Sequence, residues 1–337
     1  MTAARERPTL EAVARRAGVS RATVSRVVNG STTVAEEIQE KVRIAVREMG
    51  YVPNQAARSL VTQRTDSIAL ILPEMPNRVF SDDQFFPGII RGVSMELEAG
   101  DRQLVLMLAG STAGHSRVER YAMAGHVDGV MFASMHGADP LPAALSALGI
   151  PVVCSGRPMQ NHSGVPYVDV DHIAGVSSAM RHLLASGRKR IATIAGPQDM
   201  IAGIDRLTAY REAVEADGQH PRIAYGDFTR ESGAAAMRTL LDADPDLDAV
   251  FIASDLMAHG ALRTLRASGR RVPDDVAVIG FDDIEIAQFT DPPLTTVRQP
   301  IVDLGRQIAR QMLIILAGEP VSPAVLLPTE LIIRESA

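Results

Sequence analysis

A short predicted helix near the amino terminus carries the side chains with the clearest chemical pattern. The guanidinium group of Arg26 can donate two hydrogen bonds to the O6 and N7 atoms of a guanine. Hydroxyl groups on the same helix can donate to phosphate oxygens. Both features are typical of a helix that lies in the major groove of DNA. The candidate DNA-contacting residues in and next to this helix are Ser20, Arg21, Ala22, Thr23, Ser25, Arg26 and Asn29.

A second group of polar residues follows the predicted strands of the remaining sequence. Ligands of open α/β sheets bind beyond the carboxyl ends of the strands, so these positions favour a binding site. They are rich in Asp, Arg and Ser, whose side chains bridge hydroxyl groups, and in a few Phe residues that cover C–H surfaces. This mixture indicates a small, hydroxyl-bearing ligand. The segments are residues 73–86, 134–136, 155–157, 196–206, 254–255 and 281–283.

Two adjacent carboxylate pairs, at 82–83 and 282–283, could bind a metal or serve acid–base chemistry. Neither has a histidine at ligand spacing, so turn capping or solvation is the alternative role for Asp83 and Asp283. The sequence has no GxSxG motif, P-loop or GxGxxG fingerprint. The single cysteine, Cys154, ends an apolar strand, where we expect an inert core thiol. We therefore expect no enzyme activity, no catalytic residue, no metal and no cofactor.

Three short helices are predicted before residue 51, and they position the DNA-contacting side chains. Thr9 and Ser20 are suitable N-caps for the first two helices, and Gly18 forms the break between them. Thr33 and Glu36 have capping-box spacing for the third helix. A helix, a tight glycine turn and a second helix make a helix-turn-helix unit. The pattern alone also permits a plain three-helix bundle with a solvated charged face.

From residue 66 onward, predicted strands and helices alternate in two successive sets. Continuous apolar strands between helices predict parallel sheets covered on both faces, and two sets predict two lobes with a cleft. The fold class is therefore α/β, with a helix-turn-helix domain before two doubly wound parallel-sheet lobes. The predicted strands cover residues 68–72, 103–108, 129–133, 152–154, 191–195, 249–252 and 276–279. The predicted helices cover residues 87–99, 118–125, 142–148, 173–186, 204–216, 231–243 and 256–267.

The net charge of −6 is unevenly distributed along the chain. Residues 1–64 contain 11 basic and 6 acidic residues, a net charge of +5, and the rest contains 23 basic and 34 acidic residues, a net charge of −11. Such a basic head is expected where only the head contacts phosphate groups. The first ten residues lack the apolar segment of a signal peptide, and no apolar run approaches the roughly 18 residues of a membrane span. We therefore expect a cytoplasmic protein without a membrane partner rather than a periplasmic solute-binding protein.

The amino-terminal part carries a specific resemblance to a known family. Residues 9–14 read TLEAVA and residues 17–29 read AGVSRATVSRVVN, and both are similar to the headpiece of the LacI/GalR family of repressors. Residues 51–60, YVPNQAARSL, resemble the hinge of that family. The remaining sequence resembles the family's sensor body. Its matching motifs are GP at 196–197 with Arg206 and Tyr210, SDLMA at 254–258, GFDD at 280–283 and PPLTTVRQP at 292–300.

The resemblance implies specific DNA contacts. Arg21 and Ala22 correspond to the positions that set operator preference, and Arg26 corresponds to the base-reading arginine. The hinge is implied to form a short helix whose leucine, Leu60, wedges into the minor groove. A segment of about seven residues is too short to be a stable helix alone in water, so it needs DNA and a second copy to fold against. Further candidate contacts are Thr9, Leu10 and Asn54.

The resemblance also implies an effector site. Arg206 and Asp282 are the main candidates, and the other candidate residues are Asp83, Phe85, Ser134, Phe228, Ser254, Asp255 and Gln299. The loop at residues 74–86 is longer than the family's usual Asp-x-x-Asn-Pro-Phe-Phe segment. In this respect the sequence resembles actinobacterial members that sense plant-derived oligosaccharides, which favours a sugar effector. A corepressor of nucleobase or other small-metabolite type is the alternative.

The expected working unit is a homodimer, because two hinge segments must meet at the centre of a pseudo-palindromic operator. We expect a repressor that binds double-stranded operator DNA and is released by the effector. The predicted domains are a headpiece at 1–50, a hinge and linker at 51–65 and an effector-binding domain at 66–337. Within that domain, one lobe is predicted to comprise 66–165 plus 298–322, and the other 166–297 plus 323–337.

Overall fold

The computed structural model describes residues 8–28, 33–52, 64–160 and 164–337. The chain divides into two compact units, Met1–Thr65 and Asp66–Ala337. Each unit has hydrophobic clusters of its own. Within the described ranges, no helix is both long and apolar enough to cross a membrane.

The first unit contains three helices: α1 (Leu10–Ala17), α2 (Arg21–Val28) and α3 (Glu36–Met49). The Thr9 hydroxyl accepts a hydrogen bond from the backbone N–H of Ala12 at 3.2 Å and caps α1. Gly18 ends that helix with a φ of 66°, a left-handed conformation that glycine adopts without strain. The Ser20 hydroxyl accepts from the backbone N–H of Thr23 at 3.1 Å, so the predicted cap of the second helix is present.

One valine from each helix forms the centre of this small core. Val13, Val24 and Val42 are completely buried. The predicted capping box of the third helix is wrong. The carbonyl of Ala35 accepts the first helical hydrogen bonds, so Ala35 holds the N-cap position in place of Thr33.

Strands and helices alternate through the second unit. The strands are β1 (Ser67–Leu72), β2 (Gln103–Leu108), β3 (Gly129–Phe132), β4 (Val152–Ser155), β5 (Tyr167–Val170), β6 (Ile191–Ala195), β7 (Arg222–Tyr225), β8 (Ala249–Ile252), β9 (Ala277–Asp282), β10 (Thr295–Arg298), β11 (Ala324–Leu327) and β12 (Glu330–Ile332). The helices are α4 (Pro76–Val79), α5 (Phe85–Ala99), α6 (Thr112–Met123), α7 (Leu141–Ala147), α8 (His172–Ala185), α9 (Ile201–Ala216), α10 (Arg230–Ala243), α11 (Asp255–Ala267), α12 (Ile286–Phe289) and α13 (Ile301–Leu316).

The strands form two six-stranded sheets, in the orders β11-β5-β4-β3-β1-β2 and β12-β10-β9-β8-β6-β7. The pairing of β12 with β10 is antiparallel, and the other described pairings are parallel. In β1, Ile68, Leu70 and Leu72 pack into one cluster, and Ala69 and Ile71 pack into the cluster on the opposite face. Both faces are therefore buried, which explains the continuous apolar strands. The predicted fold class is confirmed.

The structure corrects the predicted division between the lobes. β5 and β11 pair with each other in the first sheet, with Tyr167 opposite Ala324. The first lobe therefore continues beyond residue 165 and also includes a strand that the sequence assigned to the second lobe. β5 was not predicted, because Asp169 interrupts its apolar pattern. β7 was also missed, because only one of its four residues is buried.

The chain passes between the two sheets three times, after β5, β10 and β11. α13 follows a strand of the second sheet but packs against α5 of the first lobe. This contact requires glycine. A Cβ atom at Gly92 would lie 2.0 Å from the carbonyl oxygen of Val302, and one at Gly305 would lie 2.4 Å from that of Ile89. Because these helices pack closely, the chain segment that leads from β10 back to the first lobe is held at one side of the cleft.

Candidate functional site

The predicted DNA-contacting residues that the structure describes lie on the first unit. Ser20, Arg21, Ala22 and Arg26 are exposed, and Thr23 and Ser25 are half-buried. Thr9 is exposed, and Leu10 packs against the headpiece core. Asn29, Asn54 and Leu60 lie outside the described residues. The exposed face of α2 thus carries both arginines at the surface of the first unit.

The two arginines of this face have different surroundings. The Nε atom of Arg21 lies 3.0 Å from a carboxylate oxygen of Glu11 on α1, and both side chains are more than half exposed. Arg26 lies in the last turn of α2. An exposed ion pair of this kind contributes about 0–1 kcal/mol and can open when a phosphate or base replaces the carboxylate. Glu11 therefore holds Arg21 near α1 without fixing it there.

Two adjoining cavities at the carboxyl ends of the strands form one cleft between the lobes. The first cavity has about 500 Å³ of empty space and the second about 490 Å³, and both figures include open solvent. The residues shared by both cavities are Phe85, Ser134, Met200, Ala202, Arg206 and Gln299. We call the two cavities the first and second compartments.

Eight of the nine predicted effector residues line the first compartment: Asp83, Phe85, Ser134, Arg206, Phe228, Ser254, Asp282 and Gln299. Asp255 does not. It is completely buried, and its carboxylate accepts hydrogen bonds from the Thr296 hydroxyl at 2.6 Å and the Ile284 backbone N–H at 3.0 Å. Asp255 therefore supports the loop after β9 from beneath and is not part of the cleft lining. Sequence order placed it next to Ser254, but the first turn of α11 points the two side chains in different directions.

Arg206 is the centre of the polar network in the cleft. It is almost completely buried, and its Nη1 atom donates to the Ala253 carbonyl at 2.6 Å and lies 3.6 Å from a carboxylate oxygen of Asp282. Its guanidinium carbon lies 3.7 Å from the centre of the Phe281 ring, a cation–π contact. These contacts fix the plane of the guanidinium group at the boundary between the two compartments.

A buried histidine connects Arg206 to a second carboxylate. The Nε atom of Arg206 donates to Nδ1 of His172 at 3.3 Å, and Nε2 of His172 lies 3.3 Å from Asp169. Burial, together with the charge of Arg206, lowers the pKa of His172, so the ring is neutral at pH 7. The hydrogen bonds assign its proton to Nε2. Asp169 and His172 line the second compartment and were missed as site residues, because β5 was not predicted.

Several residues around the cleft have left-handed backbone conformations. The φ angles of Ser134, Phe228 and Asp282 are 60°, 67° and 115°. Such angles are costly for residues other than glycine and concentrate at binding sites that the surrounding structure holds in place. Asp282 accepts a hydrogen bond from the Gln299 amide at 2.6 Å, and burial raises its pKa despite the opposing charge of Arg206. A carboxyl group in this state can accept or donate hydrogen bonds to a ligand hydroxyl.

The neighbouring acidic residues and the cysteine have structural roles. The Asp283 carboxylate is buried and accepts from Arg298 at 2.7 Å and Arg334 at 2.6 Å, so the predicted solvated or capping role is wrong. Asp83 accepts from the backbone N–H of Phe85 at 3.0 Å and caps that turn. Cys154 is completely buried, and burial raises the pKa of its thiol, as expected for an inert core residue.

Polar contacts also join the two lobes at the cleft. Glu74 is buried in the first lobe and accepts from the Ser134 hydroxyl at 2.7 Å and from Nε2 of His136 at 3.0 Å. The other ring nitrogen of His136 lies 2.9 Å from the carboxylate of Asp199, in the loop after β6 of the second lobe. The long loop at 74–86 makes further contacts across the cleft: Arg78 with the Asp227 carbonyl at 2.8 Å, Asp82 with Arg230 at 2.9 Å, and Gln84 with Glu285 through two hydrogen bonds of 3.0 and 3.1 Å.

The His136 bridge predicts a pH dependence of stability. Hydrogen bonds to Glu74 and Asp199 raise the pKa of His136 above its ordinary value of 6.5. Its contribution to folding is therefore complete below about pH 6.5 and is lost as the pH rises through the higher pKa of the folded state. We expect the free energy of unfolding to fall as the pH rises above about 6.5, more steeply in the wild-type protein than in His136→Gln. Urea denaturation at several pH values measures this difference.

His220→Gln is the matched control, since His220 is exposed and lies outside the cleft. It should retain the wild-type pH slope. Equal slopes in the wild-type protein and His136→Gln would contradict the assigned role of the bridge. The contribution of Glu74 to stability depends on pH in the opposite direction. Burial opposes its ionisation, but the hydrogen bonds from His136 and Ser134 prevail and lower its pKa, so its contribution is lost as the pH falls below its ordinary value of 4.5.

A helix-turn-helix unit followed by a two-lobed unit with a polar cleft defines a class of DNA-binding regulators that sense small molecules. Comparison with known protein families agrees with that class. Residues 9–54 match the bacterial regulatory proteins of the lacI family, and residues 180–337 match the periplasmic binding protein-like domain. The chain belongs to the LacI family and is a transcriptional regulator.

Two curated relatives show how similar the chain is to characterised regulators. The HTH-type transcriptional regulator CelR of Thermobifida fusca is 50% identical over 98% of this chain and 99% of its own length. The HTH-type transcriptional repressor CytR of Escherichia coli K12 is 34% identical over 97% of this chain and 96% of its own length. Both are regulators of transcription rather than enzymes.

Two solved structures resemble the fold over almost the whole chain. A complex of the transcriptional regulator CelR with cellobiose has a TM-score of 0.77 and 48% identity, and it covers 98% of this chain and 100% of the other. The lac repressor dimer bound to operator and the anti-inducer ONPF has a TM-score of 0.87 and 27% identity, and it covers 98% of this chain and 99% of the other. The family resemblance of the sequence is thereby confirmed.

Proposed function

We propose that this protein is a cytoplasmic repressor that binds a pseudo-palindromic operator as a homodimer and is released from it by a sugar, specifically a β-linked glucose disaccharide of the cellobiose type. The main support for this proposal is the cleft between the lobes, because its two compartments meet at one buried arginine, Arg206. The similarity to the operator-bound lac repressor dimer supports the homodimer and the operator.

The lining of the first compartment supports a sugar ligand. A pyranose ring has a rim of hydroxyl groups and two faces of C–H bonds. Arg206, Asp282 and Gln299 offer charged and amide groups for the hydroxyls, and Phe85 and Phe228 offer apolar surface for a ring face. The polar groups are held by one another before any ligand binds, so little further ordering is required on binding.

The second compartment supports a ligand longer than one ring. It continues from the first through the shared wall and adds the polar groups of Ser155, Arg157, Asp169 and His172. Arg157 is held by two hydrogen bonds of 2.9 Å to the carboxylate of Asp205. The CelR structure, which is 48% identical to this chain, contains cellobiose. A disaccharide would place one ring in each compartment, and both rings would contact Arg206.

A comparison of ligands tests the proposed effector class. Calorimetry on the full-length protein should show saturable binding of cellobiose and at least tenfold weaker binding of glucose, because one ring leaves the polar groups of one compartment without partners. Maltose is the matched control, since it contains the same two glucose units with a different linkage. Cellobiose should also weaken operator binding. If a purine base such as adenine or guanine binds instead and strengthens operator binding, the protein is a corepressor-type regulator and the proposal is wrong.

The proposed release mechanism connects the cleft to the hinge. A ligand bound between the lobes holds them in one relative orientation. In a dimer, that orientation would set the distance between the two hinge segments. The resemblance predicts a hinge around Asn54 and Leu60, and a segment of about seven residues is too short to be a stable helix alone in water, so we propose that it depends on the second copy and DNA. Ligand binding that separates the hinges would therefore remove Leu60 from the minor groove. By reciprocity, operator DNA weakens ligand binding by the same factor.

A further inference from the structure

A second groove lies on the second lobe, between α10 and α11, and is separate from the ligand cleft. The first turn of α10 packs closely against the middle of α11, where a Cβ atom at Gly260 would lie 2.0 Å from the carbonyl oxygen of Arg230. An open groove lies along this contact, with about 1250 Å³ of empty space that includes open solvent. No step of the proposed sugar response uses this groove.

Three arginines and one histidine line the groove. Arg230 and Arg238 line it from α10, and His259 and Arg263 line it from α11. Burial, together with the charges of Arg230 and Arg263, lowers the pKa of His259, so this ring is neutral. Glu231 and Asp242 also line the groove, which leaves a formal excess of one positive charge.

Two buried nitrogen atoms beside this groove have no hydrogen-bond partner in the described part of the chain. They are Nδ1 of His259 and Nε of Arg230. A buried donor without a partner is costly, and an oxyanion is the ligand that best satisfies guanidinium N–H groups. A neutral imidazole can donate one more hydrogen bond to the same oxyanion.

Arg230 also connects the groove to the ligand cleft. Its Nη1 atom lies 2.9 Å from the carboxylate of Asp82, in the long loop of the first lobe. Its side chain therefore takes part in a contact between the lobes while its Nε atom remains without a partner. An anion in the groove and the carboxylate of Asp82 would compete for the same guanidinium group.

We propose that the groove between α10 and α11 binds a small phosphate-type oxyanion through Arg230, Arg238 and Arg263, in competition with Asp82. The bound anion draws Arg230 away from Asp82 and removes one of the contacts that hold the lobes together. The groove is thereby a second ligand site that weakens the contact between the lobes. It does not depend on the identity of the effector in the cleft.

Inorganic phosphate is the probe for this site. Calorimetry on the full-length protein, in buffers of equal ionic strength set with chloride, should show saturable binding. The double variant Arg238→Gln/Arg263→Gln should bind phosphate at least tenfold more weakly, because each guanidinium–oxyanion contact is charge-assisted. The matched control is Arg181→Gln/Arg211→Gln, which removes two exposed arginines of the same lobe outside the groove. Equal losses in both double variants, or no saturable binding in the wild-type protein, would overturn the site.

The competition with Asp82 has its own test. Asp82→Asn removes the competing carboxylate, so we expect phosphate to bind roughly three- to tenfold more tightly. Glu215→Gln, an exposed residue of the second lobe, is the control for the same change in net charge. Asp82 is itself largely exposed, so neither variant should impair folding. Phosphate affinity that is unchanged in Asp82→Asn, or that rises equally in Glu215→Gln, would refute the link to the cleft.

Discussion

Replacing Arg206 with alanine is expected to weaken cellobiose binding roughly ten- to hundredfold. The substitution removes a guanidinium group that contacts Asp282, the Ala253 carbonyl and His172 in a nearly solvent-free position. Each polar group left without its partner costs about 1–3 kcal/mol, and the ligand loses its central donor. Calorimetry with cellobiose measures the loss, and the release of operator DNA by the sugar should be lost with it.

Because Arg206 is part of the internal network, its removal should also lower the stability of the second unit. Arg206→Lys keeps the positive charge but loses the planar contact with Phe281. It should therefore fold well and still bind cellobiose more weakly. Arg211→Ala is the matched control, since Arg211 lies exposed on the same helix. A folded Arg206 variant with wild-type cellobiose affinity would show that the ligand site lies elsewhere.

Replacing Arg26 with alanine is expected to produce the largest loss of operator binding among changes in the first unit. A bidentate arginine–guanine contact is worth about 1–3 kcal/mol, and a homodimer makes it once in each half-site. The total loss is therefore about 2–6 kcal/mol, or roughly 30-fold to 10⁴-fold in affinity. Arg26 is exposed and contributes no core packing, so the variant should remain folded. A gel-shift or anisotropy titration against the operator measures the effect.

Random-sequence DNA distinguishes base recognition from phosphate contact. Affinity for random DNA depends on charge and should fall much less than affinity for the operator. A loss of the same size for both DNAs would show that Arg26 contacts phosphate. Arg26→Lys retains the charge but not the bidentate geometry, so it should rescue binding to random DNA more fully than binding to the operator.

Much of the architecture could be predicted from the sequence, because local patterns encode it. Thr9, Gly18 and Ser20 specify the ends of the first two helices through capping that involves only neighbouring residues. Apolar runs such as that of β1 predict buried parallel strands, since both of their faces must be covered. The third helix shows the limit of such patterns. There the capping-box pattern predicted the N-cap at Thr33, two residues before the observed N-cap at Ala35.

The sequence by itself determined the order of the parts: a basic helix-turn-helix unit, and then alternating strands and helices with polar residues at the strand ends. Only the tertiary structure decided which distant segments meet. Pairing between β5 and β11 assigns Tyr167 and Ala324 to one sheet, although more than 150 residues separate them. The bridge from His136 to Asp199 likewise joins segments that lie 63 residues apart, one from each lobe. Such contacts depend on sheet order and on the crossovers between lobes. Local periodicity and capping reach only a few residues along the chain, so they carry no information about these pairings.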